Sequence, residues 1–214
     1  MSDKAIFVNA LTFSRVPLIF AWLVLAVVQE HMTPGNGSFW MAWGAGLMMG
    51  LSGLTDLFDG KLARKWNVVS TLGKMADPLM DKVFYVVTFP ALTWMIVHQG
   101  ESGLHALVML AFTILYILRD LWVTFMRSIG TMYGANVAAM WIGKVRTALS
   151  FPAAGWVYAY LTLHLFLPEA SVWREVWLWS CYGVEAFMII LNVVSCCSYT
   201  REYLPYLKKA LERN

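Results

Sequence analysis

Cysteine is scarce in this 214-residue chain, with Cys181, Cys196 and Cys197 the only three. They form no metal-ligand spacing and leave an odd thiol, which speaks against a zinc-type cluster and for buried, reduced side chains. Charge is scarce as well: 14 % of residues are charged and the net charge is +3, with no run of Lys or Arg to suggest a nucleic-acid surface. No alternating ten-residue segments suggest a β-barrel, and no internal repeat of the transporter kind is visible. The first residues lack the basic region, short apolar core and small-residue cleavage site of a secretory leader, so the first apolar stretch is expected to be retained.

Apolar residues fill the space that charge leaves. They make up 59 % of the chain, with 11 tryptophans, a composition near that of a polytopic membrane protein. Six apolar stretches lie at about 6–28, 39–62, 72–97, 104–133, 137–167 and 173–197. Each meets the roughly 20 residues that a spanning helix requires. The expected fold is all-α, a single domain over 1–214 with six transmembrane helices. Arg15 falls inside the first stretch, so an interfacial amino-terminal segment is expected before the span proper.

Basic residues set the expected topology. Of the 16 Lys and Arg, all but Arg174 fall on one side of a six-span arrangement, which places both termini in the cytoplasm. A cell inner membrane is consistent with that orientation. The opposite loops carry Gly, Pro and polar residues, and all four histidines lie near them, where they read as solvent-side residues. Trp40, Trp43, Trp94, Trp173, Trp177 and Trp179 gather near the same outer boundary, as an aromatic belt would.

Four of the chain's six aspartates, Asp56, Asp59, Asp77 and Asp81, crowd around the cytoplasmic turn between the second and third stretches. Carboxylates in or beside hydrocarbon are costly and mark a functional site by default. Asp56 and Asp59 share one helical face, as do Asp77 and Asp81, and a short connection would make the two helices antiparallel neighbours with the pairs facing. Four carboxylates repel unless compensated, and two divalent cations with oxygen ligands, Mg²⁺ or Mn²⁺, would balance them. Gly60 and Ala63 continue the face of Asp56 and Asp59, and Gly73 begins the ladder to Asp77 and Asp81. These small residues leave a slot beside the carboxylates, while Arg64 supplies a planar fork suited to phosphate oxygens. Metals, slot and arginine together suggest a diphosphate-bearing substrate.

The string Asp56-x2-Asp59-Gly60-x2-Ala63-Arg64-x8-Gly73-x3-Asp77-x3-Asp81 matches every position of the signature of the CDP-alcohol phosphotransferase family, integral membrane enzymes of phospholipid synthesis. The run from Asn9 through Thr12 and Arg15 to Pro17 resembles that family's amino-terminal pattern. Arg119-Asp120 through Arg127, with Gly143-Lys144-Val145-Arg146-Thr147, resembles its phosphatidylglycerophosphate synthase branch. The resemblance covers about the first 150 residues. It implies a metal-bound CDP-diacylglycerol attacked at its β-phosphorus by an acceptor hydroxyl, with CMP released. Asp56, Asp59, Asp77 and Asp81 are then expected at the metals, with Asp81 as general base. Asn9, Thr12, Gly60, Ala63, Arg64 and Gly73 are expected on the nucleotide and diphosphate side. A homodimer is a further expectation of the resemblance.

Arg119, Arg127, Lys144 and Arg146 lie near the cytoplasmic ends of the fourth and fifth stretches, a natural anchor for a phosphorylated acceptor. With the branch resemblance added, glycerol 3-phosphate is the expected acceptor. Inositol phosphate, serine or a second phospholipid are the alternatives. Asp120 reads either as an orienting partner for a neighbouring arginine or as a substrate contact. Arg15 reads either as a snorkelling arginine or as a contact to substrate phosphates. Glu185, in the middle of the sixth stretch, needs protonation, a partner within the bundle or a dimer interface. A cation transporter would also place carboxylates among helices, but Arg64 beside the cluster opposes a cation path, and the cytoplasmic edge is the wrong depth for a midplane site.

Overall fold

The computed structural model describes residues 3–68, 70–135, 140–162, 165 and 171–212. Six long helices follow one another: α1 (Asp3–Glu30), α2 (Asn36–Lys65), α3 (Thr71–His98), α4 (Gly103–Met132), α5 (Trp141–Thr162) and α6 (Val172–Leu211). No strand occurs among the described residues. The all-helical expectation holds, and its boundaries move. α1 runs unbroken through Arg15, so no separate interfacial helix precedes it, and α6 continues 14 residues past the expected end at 197 to Leu211. The expected ends of the fifth stretch, at 137–139 and 166–167, lie outside the described residues.

Three helix ends are set by one local device. In a Schellman turn the residue after the C-cap adopts a left-handed conformation and the last carbonyls accept from the next two N–H groups. Asn67, Gly100 and Gly134 take that position after α2, α3 and α4, with φ of 53°, 68° and 73°. The six-to-one bonds follow: Val68 N–H donates to Ala63 O at 3.0 Å, Glu101 N–H to Ile96 O at 3.2 Å and Ala135 N–H to Gly130 O at 2.9 Å. Ser70 then caps α3 by accepting from Gly73 N–H at 2.9 Å. The chain therefore reverses within residues 66–70, directly between the two aspartate pairs.

The helices nevertheless do not pack in the expected order. α1 lies along both α2 and α3, while α2 and α3 scarcely meet each other. α4 pairs with α6, and α5 fits against α6, α3 and α2. The core is a cluster of large side chains that includes Trp22, Phe89, Leu92, Met109, Phe112, Tyr116 and Leu161. A smaller group, Val123, Met126, Tyr199 and Tyr203, ties the ends of α4 and α6.

Much of the apolar surface faces outward. Leu107, Leu118, Leu121 and Phe125 on α4, and Phe187, Ile190 and Val193 on α6, are exposed. Four helical segments are long and apolar enough to cross a membrane: α1, residues Met75–His98 of α3, α4 and α6. Such segments with outward-facing apolar stripes make this an integral membrane protein. α2 falls short of that measure because Gly44, Gly46, Gly50 and Gly53 thin its apolar stretch ahead of the charged end that begins at Asp56, and α5 begins with Lys144 and Arg146 in its first turns.

Two minor expectations are corrected. His105 is fully buried, not solvent-side, and its Nε2 lies 3.0 Å from Glu185 Oε1, so Glu185 finds its partner inside the bundle. His31 and His98 are exposed and stack on each other and on Trp94, whereas His164 lies outside the described residues. The cysteines are all free, but only Cys181 is buried, because the 3.6-residue period turns Cys197 outward.

Candidate active site

The polar residues of α1 occupy its buried face. Asn9, Thr12 and Arg15 recur at spacings of three among Val8, Ile19, Trp22 and Ala26, all of them buried. This stripe lies between α2 and α3 and carries Arg15 into the middle of the aspartates. Its Nη1 lies 2.6 Å from Asp56 Oδ1 and 3.4 Å from Asp81 Oδ1. Its Nη2 pairs with Asp59 Oδ2 and lies 3.8 Å from Asp77 Oδ1. Thr12 donates to the same Asp59 oxygen at 2.8 Å. Asp59 is buried, while Asp56, Asp77 and Asp81 keep access to solvent.

The four aspartates thus form a ring around a guanidinium. The two pairs meet across α1, not directly across an α2–α3 contact as the spacing suggests. Among the described residues no three carboxylate, imidazole or thiolate groups converge closely enough to hold a metal ion in this arrangement, because Arg15 stands between them. The donor chemistry still fits hard divalent cations: four carboxylates, all oxygen donors, answered by one positive charge.

The residues expected on the nucleotide side gather beside the 66–70 turn. Ser70 donates to Asn9 Oδ1 at 2.8 Å, and the buried Asn9 Nδ2 has no partner among the described residues. Gly73 sits against this pair, and a Cβ there would meet Ser70 Oγ at 3.1 Å and Asn9 Oδ1 at 3.4 Å. A Cβ at Gly60 would meet Arg64 Nη2 at 3.9 Å, Ala63 is half-buried and Arg64 is exposed. Thr12 differs, since its hydroxyl is spent on Asp59.

On the other flank of the ring a cavity of about 820 Å³ opens between α2, α3, α4 and α5. Arg15, Asp56 and Asp81 line it, and so do Arg119, Arg127, Lys144 and Arg146. Gly53, Leu54, Phe84 and Phe151 form an apolar wall. The acidic and basic groups therefore share one chamber, as phosphate transfer between two anionic molecules requires.

The basic residues are not equivalent. Arg146 is buried, stacked 4.0 Å above the Tyr116 ring, donating to Asn192 Oδ1 at 3.0 Å and Asp120 Oδ1 at 3.2 Å. Arg119 is buried against Tyr199 and donates to Ser195 Oγ. Asp120 also takes Lys82 Nζ at 3.2 Å, so one carboxylate aligns cations from α3, α4 and α5. Lys144 is exposed to the chamber.

Sequence reasoning passed over several of these groups. Arg15 was undecided between two roles, and the signal that favours an internal one is its register with Asn9 and Thr12 on the buried face. Ser70 was passed over altogether, both as the cap of α3 and as the partner of Asn9. Lys82, Tyr116, Asn192, Ser195 and Tyr199 carry no local signal, because their partners lie on other helices.

Known proteins complete the picture. Residues 5–195 match the CDP-alcohol phosphatidyltransferase family. A CDP-diacylglycerol–glycerol-3-phosphate 3-phosphatidyltransferase of Escherichia coli is 33 % identical over 143 residues, 63 % of this chain and 75 % of that protein. The protein of the same name from Shigella flexneri is 33 % identical over 162 residues, 75 % of this chain and 78 % of that protein. A cardiolipin synthase (CMP-forming) of Streptomyces coelicolor is 40 % identical over 89 residues, which span 40 % of this chain and 38 % of that protein. With a match over most of its length, and with the aspartate ring and basic chamber side by side, the chain belongs to the CDP-alcohol phosphatidyltransferase family.

Proposed function

We propose that this protein transfers the phosphatidyl group of CDP-diacylglycerol to sn-glycerol 3-phosphate, giving phosphatidylglycerophosphate and CMP. The observation that carries the reading is the chamber lined both by Asp56 and Asp81 and by Arg119, Arg127, Lys144 and Arg146. A nucleotide diphosphate and a phosphorylated alcohol are both anions, and each needs its own compensating charge. The Escherichia coli relative's name favours glycerol 3-phosphate.

The roles follow from position. Asn9, Gly60, Ala63, Arg64 and Gly73 bind the nucleotide and diphosphate, with the free Nδ2 of Asn9 as a donor to the ligand. Thr12 holds Asp59 in place. Asp56, Asp59, Asp77 and Asp81 would hold Mg²⁺ or Mn²⁺, which would supply charge neutralisation and polarisation at the diphosphate. Lys144 and Arg127 bind the acceptor phosphate, and Arg119 and Arg146 form the rigid wall behind them. Asp81, at the chamber's edge, takes the proton of the acceptor hydroxyl as its oxygen bonds to the β-phosphorus and CMP departs.

The wider setting is of a piece with this chemistry. The chain is one domain over 1–214 whose six helices all cross the cell inner membrane, with both termini and the active site cytoplasmic, and it works as a homodimer. A cation-path reading is disfavoured by Arg119, Arg127, Lys144 and Arg146, since positive charges lining the same chamber oppose cation transit.

An acceptor panel tests the assignment. Purified protein with CDP-diacylglycerol and Mg²⁺ or Mn²⁺ should release CMP with glycerol 3-phosphate and little with inositol phosphate, serine or phosphatidylglycerol, products being identified by mass spectrometry. Asp81→Asn should abolish turnover and keep donor binding. Release driven best by phosphatidylglycerol would move the protein to the chemistry named for the Streptomyces relative, and no release with any acceptor from folded protein would reject the enzyme.

A further inference from the structure

We propose that Arg15 is an exchangeable counter-ion: it holds the aspartate ring together before loading, then turns into the adjoining chamber when the ring takes up divalent cations, facing the substrate's phosphate oxygens there. The inference rests on the metal-dependent transfer proposed above and adds to it a residue outside the aspartate signature.

The charge balance of the ring is its foundation. One guanidinium contacts Asp56, Asp59, Asp77 and Asp81 together, which leaves the cluster three charges short of neutral. A buried structural ion pair is normally closed, with every polar atom satisfied. This one is open to solvent on its acidic side: Arg15 is buried, yet Asp56, Asp77 and Asp81 keep 51 %, 49 % and 36 % of their side-chain surface exposed. Two divalent cations would carry the same carboxylates from excess negative to excess positive charge once Arg15 is counted. A guanidinium left among them would then be repelled at a few ångströms.

The structure also provides somewhere to go. Arg15 lines the chamber along with Asp56 and Asp81, so rotation about its side-chain bonds reaches that space without moving a helix. The chamber is where an anionic group belongs, and an arginine fork matches phosphate oxygens in a way that a lysine point charge does not. A snorkelling arginine, by contrast, would reach toward water at the membrane edge, whereas Arg15 points inward to four acids.

Mn²⁺ alone is the probe. Full-length protein in detergent is titrated with it and free Mn²⁺ is read by electron paramagnetic resonance for wild type, Arg15→Gln and Arg15→Lys. Removal of the competing charge should tighten Mn²⁺ binding about tenfold or more in Arg15→Gln, with Arg15→Lys near wild type. Metal-free Arg15→Gln should melt below metal-free wild type, and saturating Mn²⁺ should close the gap. At saturating Mn²⁺, Arg15→Gln should bind CDP-diacylglycerol more weakly than wild type. Should Arg15→Gln not fold, wild type still decides: phenylglyoxal labelling of Arg15, read by mass spectrometry, should rise when Mn²⁺ is added. Equal or weaker Mn²⁺ affinity in Arg15→Gln, or labelling that stays flat or falls, overturns the exchange and leaves metal-dependent transfer standing. Unchanged donor binding overturns the phosphate-facing half. No Mn²⁺ binding by any folded form overturns both the exchange and the metal reading.

Discussion

Lys144 and Arg146 sit two residues apart on α5 and divide the work of a basic wall between them. Lys144 is exposed to the chamber, whereas Arg146 is locked by Tyr116, Asn192 and Asp120. Lys144→Met should therefore raise the KM for glycerol 3-phosphate about tenfold, the worth of one charge-assisted contact, with the donor KM little changed. Arg146→Met takes one cation from Asp120, which keeps Lys82 and Arg119, and leaves the buried Asn192 Oδ1 without its donor, at about 1–3 kcal/mol for the unsatisfied acceptor. Its effect should appear first as a lower melting temperature and yield of folded protein, so equal stability in the two variants would erase the distinction. The pattern of basic residues made the group visible in the sequence. It did not sort them, because whether a cation is free or held depends on partners such as Asn192 that come from another helix.

At the scale of elements, the α2–α3 connection and the α2–α5 contact are the joints that shape the chamber. Ser70 caps α3 and orients Asn9 with the same hydroxyl, accepting from Gly73 N–H and donating to Asn9 Oδ1. Ser70→Ala should cost about 1 kcal/mol as a lost cap and also weaken donor binding, whereas Ser70→Thr should restore both. Loss of stability with unchanged donor affinity would leave Ser70 as a cap only. Gly53 is the place where α2 approaches α5 most closely, since a Cβ there would lie 2.4 Å from the Phe151 ring. Gly53→Leu should force Phe151 aside, at about 1–3 kcal/mol for overpacking, and reduce turnover by reshaping the apolar wall. Turnover and stability equal to wild type would show that the ring simply moves away. The helical stretches were legible from apolar length, but their ends came from the structure, α6 running to Leu211 and not to 197. The helix order was not legible either, since nothing local to α1 announces that it separates α2 from α3.

For the whole molecule, the asymmetry of charge and the position of the ring bear on how the bundle sits in a membrane. If all six helices cross, Lys4→Cys, Asn67→Cys and Lys208→Cys should be labelled from the cytoplasmic side of sealed vesicles by a membrane-impermeant maleimide, in a cysteine-free background. Gly35→Cys, at the α1–α2 turn, should be labelled only from the opposite side. Labelling of Gly35→Cys and Asn67→Cys from one side would mean that α2 does not cross. What the sequence determined by itself was everything carried by short spacings: helical backbone, a membrane environment, two aspartate ladders with their glycines and Arg64, and the family. Tertiary structure decided which groups meet. It set Arg15 inside the ring, paired buried His105 with Glu185 and joined acids and bases in one chamber. The physical reason is that charge and hydrogen bonding act through space over a few ångströms, while the partners involved, such as Arg15 and Asp81, are 66 residues apart along the chain.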